Sequence, residues 1–247
     1  MPTVLWLAGA WAAGIVAGVS SVFFYPALPW LYAGLAFLAC AFISVLGART
    51  PGVGAWSFVT LGLLAVLSMP FLEQPFNSQQ WMLDTPWAVL LGGVLLVGVV
   101  NYAPTRWGGA ALGFLPAMTA ALAALHRPDF AWFRSPLCLH LILIWSSSCL
   151  WMAWRLMVRV PNPANRCTLI WLRFRDKYGV LWAKRVQEQL NTAAAHAGLH
   201  RRLAWQGLTA TVHNEVNGME WQKEEEQLCR LLLSVLKRFG VEDATSR

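Results

Sequence analysis

The chain has 247 residues, 57% of them hydrophobic and only 13% charged, with a formal net charge of +7. Soluble domains carry about 25% charged residues, so this composition excludes a chain that is soluble and globular throughout. The shortage is local: residues 1–154 hold only Arg49, Arg106, Arg127 and Arg134 as bases and Glu73, Asp84 and Asp129 as acids, while residues 155–247 hold fifteen bases and nine acids.

An apolar run of about 20 residues, rising 1.5 Å per residue as a helix, crosses a hydrocarbon layer of about 30 Å. The backbone must satisfy its own hydrogen bonds there, so such runs become helices. Six spans are predicted, at about 4–24, 28–48, 55–72, 87–103, 108–125 and 137–157. The first, from Val4 to Phe24, lacks a basic leader and exceeds the apolar core of about 7–15 residues of a cleaved signal, so it reads as a retained span. Pro26 and Pro29, with the interfacial aromatics Tyr25 and Trp30, mark the first turn, and Arg49-Thr50-Pro51-Gly52 marks the second break. The third span is short and ends at Pro70; Glu73 to Pro86 is the longest loop. Pro104-Thr105-Arg106 follows the fourth span, and His126 to Pro136 separates the last two. Gly14 with Gly18, and Gly109 with Gly113, are small-xxx-small pairs whose missing side chains let helix backbones approach. They are expected at helix contacts and leave a homo-oligomer open.

Arg155, Arg159, Arg166, Arg173, Arg175 and Lys177 follow the last span, and clusters of bases mark the cytoplasmic side. Six spans then put both termini in the cytoplasm, with Glu73 and Asp84 outside; five would leave the N-terminus outside. Arg127 and Arg134 disagree with this orientation and are partly offset by Asp129. The expectation is an all-α polytopic protein of the cell membrane, with a transmembrane bundle over 1–158. A basic, mainly helical cytoplasmic domain over 159–247 would hold a short strand pair within 203–213, around Leu203, Trp205, Leu208 and Val212.

In the tail, Pro161 and Pro163 end the sixth helix. Ile170, Trp171, Phe174, Tyr178, Leu181, Trp182, Val186 and Leu190 recur at steps of three and four, an apolar stripe with Arg173, Arg175, Lys177, Lys184 and Arg185 away from it. Gly179 is a candidate break and Gly198 a candidate stop. Asn217 and Glu220 form a capping-box pattern. Glu224, Glu225 and Glu226 near the start of that last helix, and Lys237 and Arg238 near its end, suit the helix dipole. Trp221, Leu228, Leu231, Leu232, Val235 and Phe239 are its expected buried face, with Gly240 as the stop.

Trp171, Arg173, Phe174, Arg175, Lys177, Tyr178 and Trp182 are the candidate residues for contact with lipid or a partner. Bases beside an anionic leaflet gain about 1 kcal/mol each, and the interleaved aromatics suit an interface. The competing reading makes those aromatics the core of a small domain, meeting Trp205 and Trp221. No nucleic-acid module is present and no such partner is expected.

No phosphate-binding loop, HExxH, GxSxG or GxGxxG pattern occurs. The five cysteines (Cys40, Cys138, Cys149, Cys167 and Cys229) include no CxxC, which leaves no zinc, thiol-exchange or haem-attachment pattern. No catalytic or metal-ligating residue and no cofactor is therefore assigned. His126 and His140 fall near the outer ends of neighbouring spans, as a haem or quinone site would need, but His126 reads more simply as a solvated loop residue and His140 as hydrogen-bonded structure. Ser146-Ser147-Ser148 reads as packing within the sixth span, and the absence of deeply placed charge argues against an ion-coupled transporter. The expected function is a non-enzymatic membrane scaffold or assembly protein whose tail docks a protein or the lipid surface. The alternative is a permease or channel-like subunit for a small or apolar solute, drawing on Ser146–Ser148 and Asn101.

Overall fold

The structure, a computed structural model, describes residues 2–22, 27–46, 53–74, 81–127, 129, 131–158, 165–210 and 218–239. Tyr25-Pro26, Arg49 to Gly52, Arg159, Pro161, Pro163, Val212, Asn217 and Gly240 lie outside them, as do the side chains of Glu220 and Trp221. The described residues form two compact units, one up to Val158 and one from Asn165.

The first unit is helical: α1 (Pro2–Val22), α2 (Ala27–Leu46), α3 (Val53–Leu67), α4 (Met69–Glu73), α5 (Thr85–Tyr102), α6 (Gly108–His126) and α7 (Pro136–Val158). Among the described residues, four helices are long and apolar enough to cross a membrane: Ala27–Leu46, Thr85–Tyr102, Gly108–His126 and Pro136–Leu156. Two shorter apolar stretches are Leu7–Ser21 and Ser57–Glu73. The expected third span is divided at Ser68, because Pro70 stands at the start of α4, where a missing N–H costs nothing. Pro86, expected to close a loop, lies in the first turn of α5 behind the extended N-cap residue Asp84.

The helices pack on small residues. Ala13, Ala17, Ala36, Ala39, Ala41, Ala110, Ala117, Ala121 and Ala124 are all buried, while Phe58, Leu72, Val89, Leu137, Ile144 and Trp154 point outward. Small residues let the helix backbones approach closely, around a core that also buries Tyr32, Trp81, Leu91 and Leu95. The outward apolar surface suits hydrocarbon, as in a membrane-associated protein. α2 is central and touches α1, α3, α5 and α6; α7 packs on α6 and α1.

All four packing glycines lie against another helix. A Cβ at Gly14 would meet Leu143 at 3.3 Å, and one at Gly18 would collide with the same side chain. Gly109 faces Met152, and Gly113 faces the Cys149 Sγ at 3.0 Å. At Gly34 α2 approaches the backbone of α1: a Cβ there would lie 3.3 Å from the Ala10 carbonyl oxygen and 3.6 Å from the Gly14 nitrogen.

The second unit is α8 (Arg166–His196), the antiparallel hairpin β1 (Arg201–Ala204) and β2 (Gly207–Ala210), α9 (Gly218–Leu236) and a 3-10 turn at Lys237–Phe239. Asn165 caps α8, its side-chain oxygen accepting from the Cys167 and Thr168 N–H groups. Gly179 interrupts α8 with φ 77° and ψ −174°, a conformation that only glycine adopts readily. Gly198, at φ 70°, ends α8: the Leu199 N–H donates to Ala194 and the Gly198 N–H to Ala195, the Schellman pattern. The unit has its own core of Cys167, Trp171, Phe174, Tyr178, Ala183, Val186, Leu190, Leu203, Leu228, Leu232, Leu236 and Phe239.

Candidate functional site

The tail surface is decided by what α8 turns inward. Trp171, Phe174 and Tyr178 are buried, at 0%, 2% and 6% exposure, and Trp182 is partly buried. Phe239 packs against Phe174, Tyr178 and Trp182, with ring centroids 5.0, 5.5 and 5.4 Å apart. Trp171 meets Trp205 edge-on at 6.4 Å. Their rings are thus engaged with the tail core. Arg173 and Lys177 are exposed, and so are Arg166, Lys184 and Arg185; the exposed acid on α8 is Glu188.

Two positions depart from the expected stripe. Leu181 is 52% exposed: the break at Gly179 rotates the following turns, and Ala183, Val186, Leu190 and Ala194 take the inner face instead. Arg175, expected on the polar side, is buried beside buried Asp176. Its Nε and Nη2 donate to Asp176 Oδ1 at 3.0 and 2.8 Å, and its Nη1 donates to the Trp205 carbonyl at 2.9 Å. A buried guanidinium needs a carboxylate and further acceptors, and here the hairpin turn supplies one of them. Arg175 lies four residues after Trp171 and three before Tyr178, so helical spacing already put it on the inner face.

The hairpin is held by side chains of α8. Asn191 donates to the Leu203 carbonyl at 3.0 Å and accepts from the Leu203 N–H at 2.8 Å, as a neighbouring strand would. Gln187 donates to the same carbonyl, the Trp171 indole N–H to that of Trp205, and the Leu208 N–H donates to the Thr168 hydroxyl. Sequence reading missed these contacts because polar residues on one helix carry no mark of which backbone they meet.

Beside the basic stripe, Trp182, Arg185, Val186, Glu188, Gln189, Arg238 and Phe239 line a groove of about 360 Å³. The Arg185 guanidinium lies 5.7 Å from the Trp182 ring centroid, and the Arg238 guanidinium 5.7 Å from that of Phe239. Arg238 is held by the Val235 carbonyl and by Gln189 Oε1. Two guanidiniums over an aromatic floor suit a carboxylate-bearing apolar segment.

In the membrane unit a second concavity, of about 180 Å³, lies between α1, α2, α6 and α7. Leu31, Leu35, Leu38, Phe114, Met118 and Ile142 give it an apolar wall, and Ser146 and Ser147 contribute hydroxyls. Ser148 instead donates to the Ile144 carbonyl one turn earlier. Asn101 is buried at 2% exposure and is not among the cavity-lining residues.

Both membrane-unit histidines meet backbone. His126 Nδ1 lies 2.8 Å from the Leu83 carbonyl, and His140 Nδ1 lies 2.5 Å from the Pro136 carbonyl. Arg134 folds back on the end of α6, donating to the Ala124 and Trp81 carbonyls at 3.0 and 3.4 Å. Burial lowers its pKa from the ordinary arginine value. Among the described residues, no three His, Cys, Asp or Glu side chains group as a metal site. No protein-family model, curated protein or solved structure matches this chain.

Proposed function

We propose that this is a non-enzymatic membrane scaffold or assembly protein whose tail docks an acidic surface of a partner protein. The carrying observation is the sorting of α8. Its aromatics turn into the tail core, while Arg166, Arg173, Lys177, Lys184 and Arg185 are exposed, as is one acid of that helix, Glu188. Arginines and lysines arrayed this way steer and orient an acidic partner more than they add raw affinity. The Arg185–Arg238 groove beside them offers a seat for an acidic segment with an apolar side chain.

In this reading the chain crosses the cell membrane six times and both termini are cytoplasmic. The bases that follow α7 support that orientation. Arg134, on the discordant side, is spent on the carbonyl end of α6, so it weighs less as a free surface charge.

The test is a pull-down of full-length protein in mild detergent, comparing wild type with R173E/K177E/K184E. Loss of a stoichiometric partner, with an unchanged melting temperature, is expected. An unchanged set of partners overturns the reading. Loss of binding to anionic vesicles with the partners retained would assign the stripe to lipid instead. The apolar cavity favours a second reading, a permease-like subunit for an apolar solute. Flux in reconstituted vesicles would establish it, and its absence across apolar solutes would count against it.

A further inference from the structure

The cavity between α1, α2, α6 and α7 joins an apolar wall to two hydroxyls that are not engaged. Ser21, Ser44, Ser68, Ser135 and Ser148 each return their hydroxyl to a backbone carbonyl three or four residues earlier. Ser146 and Ser147 make no such bond among the described residues, and both line the cavity. Ser146 is half-buried and Ser147 exposed; where the surroundings are hydrocarbon, a hydroxyl without a partner is costly, and a bound oxygen atom would remove that cost.

Size narrows the occupant. The volume of about 180 Å³ slightly exceeds the void of about 150 Å³ that takes up benzene in an apolar protein interior. It falls below the range of about 300–1,000 Å³ that encloses drug-sized ligands. A ring or the end of a chain fits; a whole lipid does not. The rest of a longer molecule has a way out, because Leu7, Trp11 and Ile15 of α1 and Ser147 and Leu150 of α7 line the cavity and are exposed. Among the described residues, its lining includes no Lys, Arg, Asp or Glu, so a charged head group would be uncompensated.

We infer that this cavity binds the neutral, oxygen-bearing end of a long-chain apolar molecule, such as a long-chain alcohol. The oxygen pairs with Ser146 and Ser147, and the chain passes out between α1 and α7 into surrounding lipid. The site is in the membrane unit and does not depend on the tail's docking role.

The test uses full-length protein in phosphatidylcholine nanodiscs and a hexadecanol probe with a photoreactive diazirine beside its hydroxyl. Labelling is expected on Ser146 to Leu150 of α7 and on Ala117 to Ala121 of α6. Excess hexadecanol should compete and hexadecane should not. S146A/S147A should lower labelling about three- to tenfold, the range for losing one or two neutral hydrogen bonds. A117F should abolish it by filling the cavity. S146A/S147A removes only two oxygens, so it decides the matter even where A117F disturbs folding. Labelling spread over outward residues such as Phe58 and Val89, equal competition by hexadecane, or full labelling of S146A/S147A would each overturn the assignment.

Discussion

Arg175 brings a guanidinium into the tail core, and only the surrounding geometry makes that tolerable. Asp176 offsets its charge and the Trp205 carbonyl fills another donor. Removing one member of a buried pair typically costs about 3–5 kcal/mol, whereas replacing both by apolar groups is often near neutral. R175M should therefore sharply raise amide exchange across α8 and the hairpin, and R175M/D176L should recover most of the loss. Cys167 gives a pH dependence. Its thiol pKa is pushed up, by burial first, then by neighbouring Cys229 and by Glu225, with Arg201 opposing. The unfolded thiol ionises near about pH 8.5, while the folded tail keeps its proton above that. The unfolded state then binds fewer protons, so stability is full below about pH 8.5 and falls as pH rises beyond it. Tail unfolding followed between pH 7 and 10 should show this decline, flattened in C167A.

At the scale of elements, α8 owes its limits to three residues with separate roles. Asn165 fills the first N–H groups, Gly179 permits the break and Gly198 turns the chain away. N165A should lower tail stability by about 1 kcal/mol, the usual cost of losing a cap. G179A should cost about 1–3 kcal/mol, because a Cβ is strained at that φ and ψ. Chemical denaturation read by tail-specific tryptophan fluorescence would separate the two from wild type. The hairpin has two four-residue strands, and an isolated pair is marginal in water. Its order comes from Asn191, Gln187, Thr168 and Arg175 on α8, which take over the hydrogen bonds that a third strand would supply.

Across the whole molecule the two units differ in what surrounds their buried large side chains. The tail core centres on Trp171 and Phe174, while the membrane unit buries Tyr32, Trp81, Leu91 and Leu95 among many alanines and shows other large side chains outward. Gly34 is where backbone meets backbone, and the facing atoms belong to the α1 main chain, which cannot turn aside. G34I should therefore overpack the α1–α2 contact at a cost of about 1–3 kcal/mol. A lower midpoint of thermal aggregation in detergent would register it, while G93I, where a Cβ meets nothing within 4 Å, should leave the midpoint near wild type.

Composition and periodicity were enough to read apolar helices before a charged tail, the stripe of α8 up to Gly179, the break at Gly179, the stop at Gly198 and part of the inner face of α9, where Leu228 and Leu232 are buried as expected and Leu236 is buried without having been expected. These follow from local rules: side-chain period, glycine's φ range and the solvent that each residue prefers. The division at Ser68 was half legible, since Pro70 was visible but its place in a new first turn was not. Arg175 was legible from its spacing to Trp171 and Tyr178, but the Trp205 carbonyl that makes its burial tolerable, the direction of Leu181 after the break and what Asn191 would clamp were not. The cavity is of the same kind. Ser146 and Ser147 look like Ser148 in sequence, and only the placing of α1, α2 and α6 around α7 leaves two hydroxyls facing an apolar space while the third bonds its own helix.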